Sequence, residues 1–424
     1  MPERPALQPG DGLPTHVHGA ADPRFACAVK TFAKLFPGPR YGGGALCVYV
    51  DGEPVVDVWT GWSDREGTVP WTADAGAMVF SAGKGVASTV LHRLADRGLL
   101  SYDAPIAQYW PEFGANGKSD IAVRDMMRHT TGLSRLGTIT TEQLLDHRFM
   151  EERLAAAPVD RHAGRAAYHA FTFGWLASGL ARAITGKGMR ELFRTEIAGP
   201  LDTDGIHLGR PPADAPTKAA QTLFPQRFSG GPVLGRLISL MARLPVPGPL
   251  GATYVPGITS LVQGDMALLD SEIPAVNAVV TARGLAKMYG ALTNGGRIDG
   301  QRFLSEELVA SLTGRRSFRP DLNVFFPMSF HQGYHGSPVP GLLRGFGHAG
   351  LGGTIGWADP VSKSSFGFVH NRLLTPMVAD QLLFVPLLVP LQRAVNEAHG
   401  SDLVTVPRFG ARISGEALTE TAGR

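Results

Sequence analysis

The chain has 424 residues, 44% of them hydrophobic, which is ample for a large core and suggests two or three domains or one elaborated pair. Its 40 basic and 37 acidic residues leave a net charge of +3 with no Lys/Arg run, which argues against nucleic acid as a partner. Only Cys27 and Cys47 are present, expected to be two buried thiols in a reducing compartment, with neither a disulfide nor a metal site.

The start, Met1-Pro2-Glu3-Arg4-Pro5, lacks the apolar core of a secretory signal, and the longest apolar stretch, Leu382 to Leu391, is interrupted by Pro386 and Pro390. The expectation is a cytoplasmic protein with no integral membrane segment. His16 and His18 fall in what reads as a flexible start, and no H-E-x-x-H pattern occurs, so no metal or other cofactor is expected.

Residues 24–36 predict an amphipathic helix through Phe25, Val29, Phe32, Ala33 and Phe36, closed by Pro37-Gly38-Pro39. Ala45–Val50 and Val55–Thr60 follow as a hairpin around Asp51-Gly52, a dipeptide that tolerates the positive φ of a tight turn. A helix is expected from Ser81, carried by Val86, Val90, Leu91 and Leu94 and stopped at Gly98. Residues 101–280 are mostly helical in pattern, with Arg124–His129, Phe173–Ile184 ending at Gly186, and Met189–Ile197 stopped by Gly199-Pro200. Within them, 223–258 is rich in Pro and Gly yet carries many apolar residues, and reads equally as a flap over a binding site or as an ordinary packed excursion. Thr281–Leu292 returns to a helical period, and Gly352–Ala358 with Ser365–Val369 reads as a second hairpin across Asp359-Pro360. The simplest architecture is α+β, with 1–100 and 281–424 forming one α/β domain and 101–280 a mainly helical insertion with a flap-like segment.

Ser81-Ala82-Gly83-Lys84 carries the chemistry. Spacing i, i+3 puts both side chains on one helix face. A serine hydroxyl is a weak nucleophile until a neighbouring base takes its proton, and a lysine is that base only where its surroundings leave the amine neutral. Alone, S-x-x-K is a weak signal, and a surface Ser and Lys on a helix is the bland alternative.

Two further segments, Tyr168-His169-Ala170 and Gly347-His348-Ala349-Gly350, raise the match above chance, and with them the chain resembles the family VIII carboxylesterases. These are serine hydrolases that share the fold of class C β-lactamases and penicillin-binding proteins. The similar text includes Leu99-Leu100-Ser101-Tyr102-Asp103-Ala104-Pro105, Tyr109-Trp110-Pro111-Glu112-Phe113 and His129-Thr130-Thr131-Gly132-Leu133. The resemblance implies a β-lactamase/transpeptidase-like fold, an antiparallel sheet flanked by helices plus an inserted helical domain, with the site between them. It implies Ser81 as the acylated nucleophile, Lys84 as its base and Tyr168 as a third group in proton transfer, and leaves open which of Lys84 and Tyr168 takes the first proton. By offset it places the oxyanion donors at the N–H groups of Ser81 and Leu351. His348, Gly350 and Ala170 would border the substrate.

The chain departs from the β-lactamase pattern at two of these positions. Ala170 stands where the Y-x-N motif has its amide, and His348-Ala349 replaces the Lys-Thr of K-T-G, removing a fixed cation. Both losses favour a small-molecule ester or lipid substrate of short to medium acyl chain over a β-lactam. A β-lactamase or D-amino-acid peptidase remains the alternative within enzymes, and a catalytically silent binding homologue the alternative outside them. Gly345–Gly350 also fits G-x-G-x-x-G, but lacks the flanking strand and helix of a dinucleotide site, and no G-x-S-x-G elbow is present. Phe173 and Trp175 read as core, and Asp125 with His129, one turn apart, as a surface or capping pair.

Overall fold

A computed structural model describes residues 10–224, 249–253, 261, 266–314, 320–325, 327–337, 339, 341–374 and 380–413. In chain order the main elements are strand β1 (Val17–Ala21), helix α1 (Ala26–Lys34), β2 (Gly43–Val50), β3 (Glu53–Gly61), β4 (Ala75–Met78) and α2 (Gly83–Asp96). Helices α3 (His147–Ala156) and α4 (Thr172–Thr185) follow, then short strands β5 (Ile206–Leu208), β6 (Lys218–Ala219) and β7 (Ala278–Val280) and helix α5 (Ala282–Thr293). The chain closes with β8 (Phe330–His331), β9 (Tyr334–His335), β10 (Phe346–Ala349), β11 (Ile355–Asp359), β12 (Ser364–His370) and α6 (Val385–Ala398).

Eight strands form one antiparallel sheet in the order β1-β3-β2-β12-β11-β10-β9-β8. Its centre joins the two ends of the chain, since β2 pairs with β12 from Val50↔Ser364 to Gly44↔His370. The β2–β3 hairpin turns at Asp51 and Gly52, both at positive φ (50° and 80°), the geometry that Asp-Gly favours. Every residue of β2 is buried, because both faces of the sheet are covered. Alternation sorts them: Ala45, Cys47 and Tyr49 pack with Leu285 and Tyr289 of α5, while Leu46, Val48 and Val50 pack with Phe25 and Phe32 near α1 and Leu387 of α6. Helix α5 lies so close to the sheet that a Cβ on Gly367 would sit 2.3 Å from Ala282 O.

A four-stranded sheet, β5-β7-β4-β6, joins β4 to segments between 206 and 280, so that stretch is not helical throughout. These strands are two to four residues long, too short for period-2 alternation to show. The helices behind them are tied by buried polar contacts. Glu151 of α3 accepts from Ser178 Oγ at 2.6 Å and takes a two-point ion pair from Arg182 of α4.

Several expectations are corrected. His18, read as part of a flexible start, lies in the edge strand β1, paired with Trp59 of β3, with His16 just ahead of it. Cys27 is exposed while Cys47 is buried. Phe173 and Trp175 are fully buried as core, whereas His129, read as a surface or capping residue, is also fully buried. Asp125 does cap, accepting from Ala122 N at 3.0 Å. Of the proposed flap 223–258, residues 225–248 and 254–258 lie outside the described residues. Among the described residues no helix is long and apolar enough to cross a membrane.

Candidate active site

Strand β4 delivers the chain to Phe80, whose φ of 48° is costly for a non-glycine residue and turns the backbone sharply. Ser81 therefore lies in a 3-10 turn, Phe80–Ala82, just ahead of α2 rather than as the first residue of that helix. Lys84 is fully buried in the first turn of α2, with Nζ 2.9 Å from Ser81 Oγ and 3.1 Å from Ala275 O, to which it donates. Burial holds its amine well below the ordinary lysine range.

Tyr168 comes from the loop before α4. Lys84 Nζ sits 4.8 Å from the centre of its ring, and Phe330 of β8 stacks on that ring at 5.6 Å and 5°. Burial pushes the phenol up; a hydrogen bond with Ser81 opposes this, and Asp321 adds to the rise. Ser81 and Lys84, from one turn, and Tyr168, from a distant loop, thus converge from two separate segments.

On the opposite side, the end of β10 meets the nucleophile turn. Thr354 Oγ1 donates to Val79 O at 3.0 Å, Gly350 N donates to Thr354 O at 2.7 Å, and a Cβ on Gly350 would lie 2.1 Å from Val79 O and 3.1 Å from Ala82 N. Only glycine fits there. Leu351 opens the following 3-10 turn, Leu351–Gly353, beside the Ser81 turn. His348 is buried, donates from Nδ1 to Ala349 O at 2.8 Å, and is held well below the ordinary histidine range by burial and by His335 and Lys84. Ala170 is buried at the start of the α4 region.

Two residues at the site were missed in the sequence. Gln381 spans the Leu351 turn, its Nε2 donating to Gly350 O at 2.8 Å and its Oε1 accepting from Gly352 N at 3.0 Å. His129 accepts from the N–H of His169 at Nδ1 (3.1 Å) and stands 5.0 Å from the Tyr168 ring. The positive φ of His129 (59°) and the two hydrogen bonds that Gln381 makes to residues 29 and 31 positions earlier leave no signature at sequence level. Among the described residues no group of three or more His, Cys, Asp or Glu side chains is arranged to hold a metal ion.

The site thus places a buried Lys84 against the half-buried Ser81 and Tyr168, beside two closely packed backbone turns, and the chain belongs to the β-lactamase family, which it matches over residues 29–385. It is 58% identical over 400 residues, 94% of this chain and 93% of the relative, to the esterase/beta-lactamase LipL of Mycobacterium tuberculosis (strain ATCC 25618 / H37Rv). A family VIII carboxylesterase of known structure is 31% identical, covering 89% of this chain and 99% of its own, with a TM-score of 0.75. A penicillin-binding protein homolog from Caulobacter crescentus is 27% identical, covering 90% of this chain and 100% of its own, with a TM-score of 0.73. The fold is β-lactamase/transpeptidase-like, the similarity to family VIII carboxylesterases holds across most of the chain, and the protein is a hydrolase of this group.

Proposed function

We propose that the chain is a serine carboxylesterase that cleaves esters of short to medium acyl chain through an acyl-enzyme on Ser81. The contact between Ser81 Oγ and the Lys84 amine, whose burial lowers its affinity for a proton, carries this reading. Burial drives both Lys84 and Tyr168 toward their uncharged forms, which makes the amine the better first base and the phenol a proton donor. Lys84 takes the Ser81 proton as Oγ bonds to the ester carbonyl carbon. The carbonyl π electrons move to oxygen, where the N–H groups of Ser81 and Leu351 receive the charge. On collapse the C–O bond to the alcohol breaks, and Tyr168 gives its proton to the departing alkoxide and regains one from the Lys84 ammonium. Water then repeats the attack on the acyl-enzyme, losing its proton to the same pair, and the acid leaves as Ser81 is reprotonated.

The support for esters over β-lactams lies in two side chains. Ala170 offers no amide to a lactam, and His348, held neutral by burial, offers no fixed cation to its carboxylate. Losing a charged partner and an amide hydrogen bond costs about 1.5–3 and about 0.5–1.5 kcal/mol, a penalty of roughly thirty- to two-thousandfold. Phe224 meets Phe80, the residue before the proposed nucleophile, edge-on at 6.5 Å, which supports an apolar wall for the acyl chain from the first residues of 223–258. We propose further that 101–280 acts as a mainly helical unit, its three short strands between 206 and 280 aside, set into the α/β unit of 1–100 and 281–424.

The mycobacterial relative's name joins both activities, so β-lactam hydrolysis is the second reading. Measuring kcat/KM for p-nitrophenyl esters of increasing length beside a chromogenic cephalosporin separates them. Esters are expected to lead by about a hundredfold or more, with all turnover lost in Ser81→Ala. Comparable values for the two substrates would favour the β-lactamase.

A further inference from the structure

Tyr168 stands in a loop, where nothing in regular secondary structure fixes its ring, yet proton transfer to Ser81 needs that ring held to a fraction of an ångström. Both peptide N–H groups flanking it are taken by one residue. Ala167 N donates to His129 O at 3.0 Å, and His169 N donates to His129 Nδ1 at 3.1 Å. His129 is fully buried, with its ring 5.0 Å from Tyr168 and 4.2 Å from Phe330, the residue stacked on the Tyr168 ring.

Accepting at Nδ1 requires the neutral ring with its proton on Nε2. Burial, followed by His169, Lys84, His348 and His335, keeps the ring neutral. Nε2 has no hydrogen-bond partner among the described residues, so the polar chemistry of the ring is directed at the Tyr168 loop alone. The backbone of His129 sits at φ 59°, and that left-handed turn is what lets its own carbonyl and its own ring reach the two sides of residue 168. The neighbouring His169 is occupied elsewhere, donating from Nδ1 to Ala167 O at 2.6 Å and accepting from Thr131 Oγ1 at 2.7 Å.

We infer that His129 is a positioning residue for Tyr168, bracketing it by backbone carbonyl and ring nitrogen so that the phenol meets Ser81 and Lys84 in register. The inference rests on the catalytic role proposed above for Tyr168.

The test is a double-mutant cycle on the full chain with a p-nitrophenyl ester. His129→Leu removes the ring acceptor and is expected to lower kcat by roughly ten- to a hundredfold with KM within about threefold. His129→Asn keeps an acceptor near the Nδ1 position in a residue that tolerates left-handed φ, and should recover kcat to within about fivefold of wild type. On a Tyr168→Phe background, His129→Leu should produce no further loss of kcat. Asn no better than Leu, or losses that multiply in the double variant, would overturn the positioning role. Should His129→Leu not fold, a folded His129→Asn with kcat down by more than about tenfold is enough to reject it. Tyr168→Phe alone at wild-type activity would instead reject the role of Tyr168, a separate result.

Discussion

Lys84 Nζ lies 2.9 Å from Ser81 Oγ, and burial, with no opposing carboxylate among the described residues, lowers the affinity of that amine for a proton. That shift favours the pair as amine and hydroxyl, the forms from which a proton can pass from serine to lysine.

Activity should accordingly rise with pH through the depressed Lys84 value and then level. Stability follows from the same shift. Between the folded value and the ordinary 10.5, the unfolded chain binds one more proton than the folded chain, so this lysine costs stability that is regained as pH climbs towards 10.5. Lys84→Met removes the base and the linkage together. It should show no measurable esterase turnover, and its thermal midpoint relative to wild type should fall from about pH 7 to about pH 10. Parallel midpoints across that range would show that Lys84 is protonated in the folded protein.

Gln381 grips both carbonyl and N–H groups around Leu351, the backbone donor proposed for the oxyanion. Gln381→Leu should let that turn relax and lower kcat for esters by about tenfold, while KM changes little because the developing charge exists only in the transition state. Steady-state kinetics on a short p-nitrophenyl ester read this directly. A rise in KM with kcat unchanged would place Gln381 in substrate binding instead.

What the sequence disclosed was whatever depends on near neighbours. The β2–β3 hairpin follows from Asp51-Gly52, and helix α4 from the apolar period between Phe173 and Ile184 with Gly186 at φ 75° as its stop. Ser81 and Lys84 were visible as a pair because they lie only three positions apart. Tyr168 was reached only through resemblance, since nothing local marks a tyrosine that meets a serine 87 positions earlier. The burial of His129 and the grip of Gln381 were hidden for the same reason, as each acts on a segment far away in the chain. The 3-10 turn at Ser81 escaped because it follows from Phe80 at a left-handed φ, which no side-chain pattern announces.

Helix α4 offers a matched pair of glycines that separates packing from catalysis. A Cβ on Gly174 would lie 2.7 Å from Ala275 N and 3.0 Å from Ala275 Cβ, pushing on the residue whose carbonyl accepts from Lys84 Nζ. A Cβ on Gly179 would lie 2.4 Å from Trp110 Cη2, pressing on a buried indole outside the site. Alanine gains up to about 1 kcal/mol in helix propensity, whereas overpacking costs about 1–3 kcal/mol, so both substitutions should be net destabilising. Only Gly174→Ala should also displace the partner of the base. Thermal midpoints are expected to fall in both variants, while kcat of the folded enzyme falls severalfold in Gly174→Ala and stays at wild type in Gly179→Ala. Equal kcat in the two would mean that the Lys84 to Ala275 bond contributes nothing to holding the amine on Ser81.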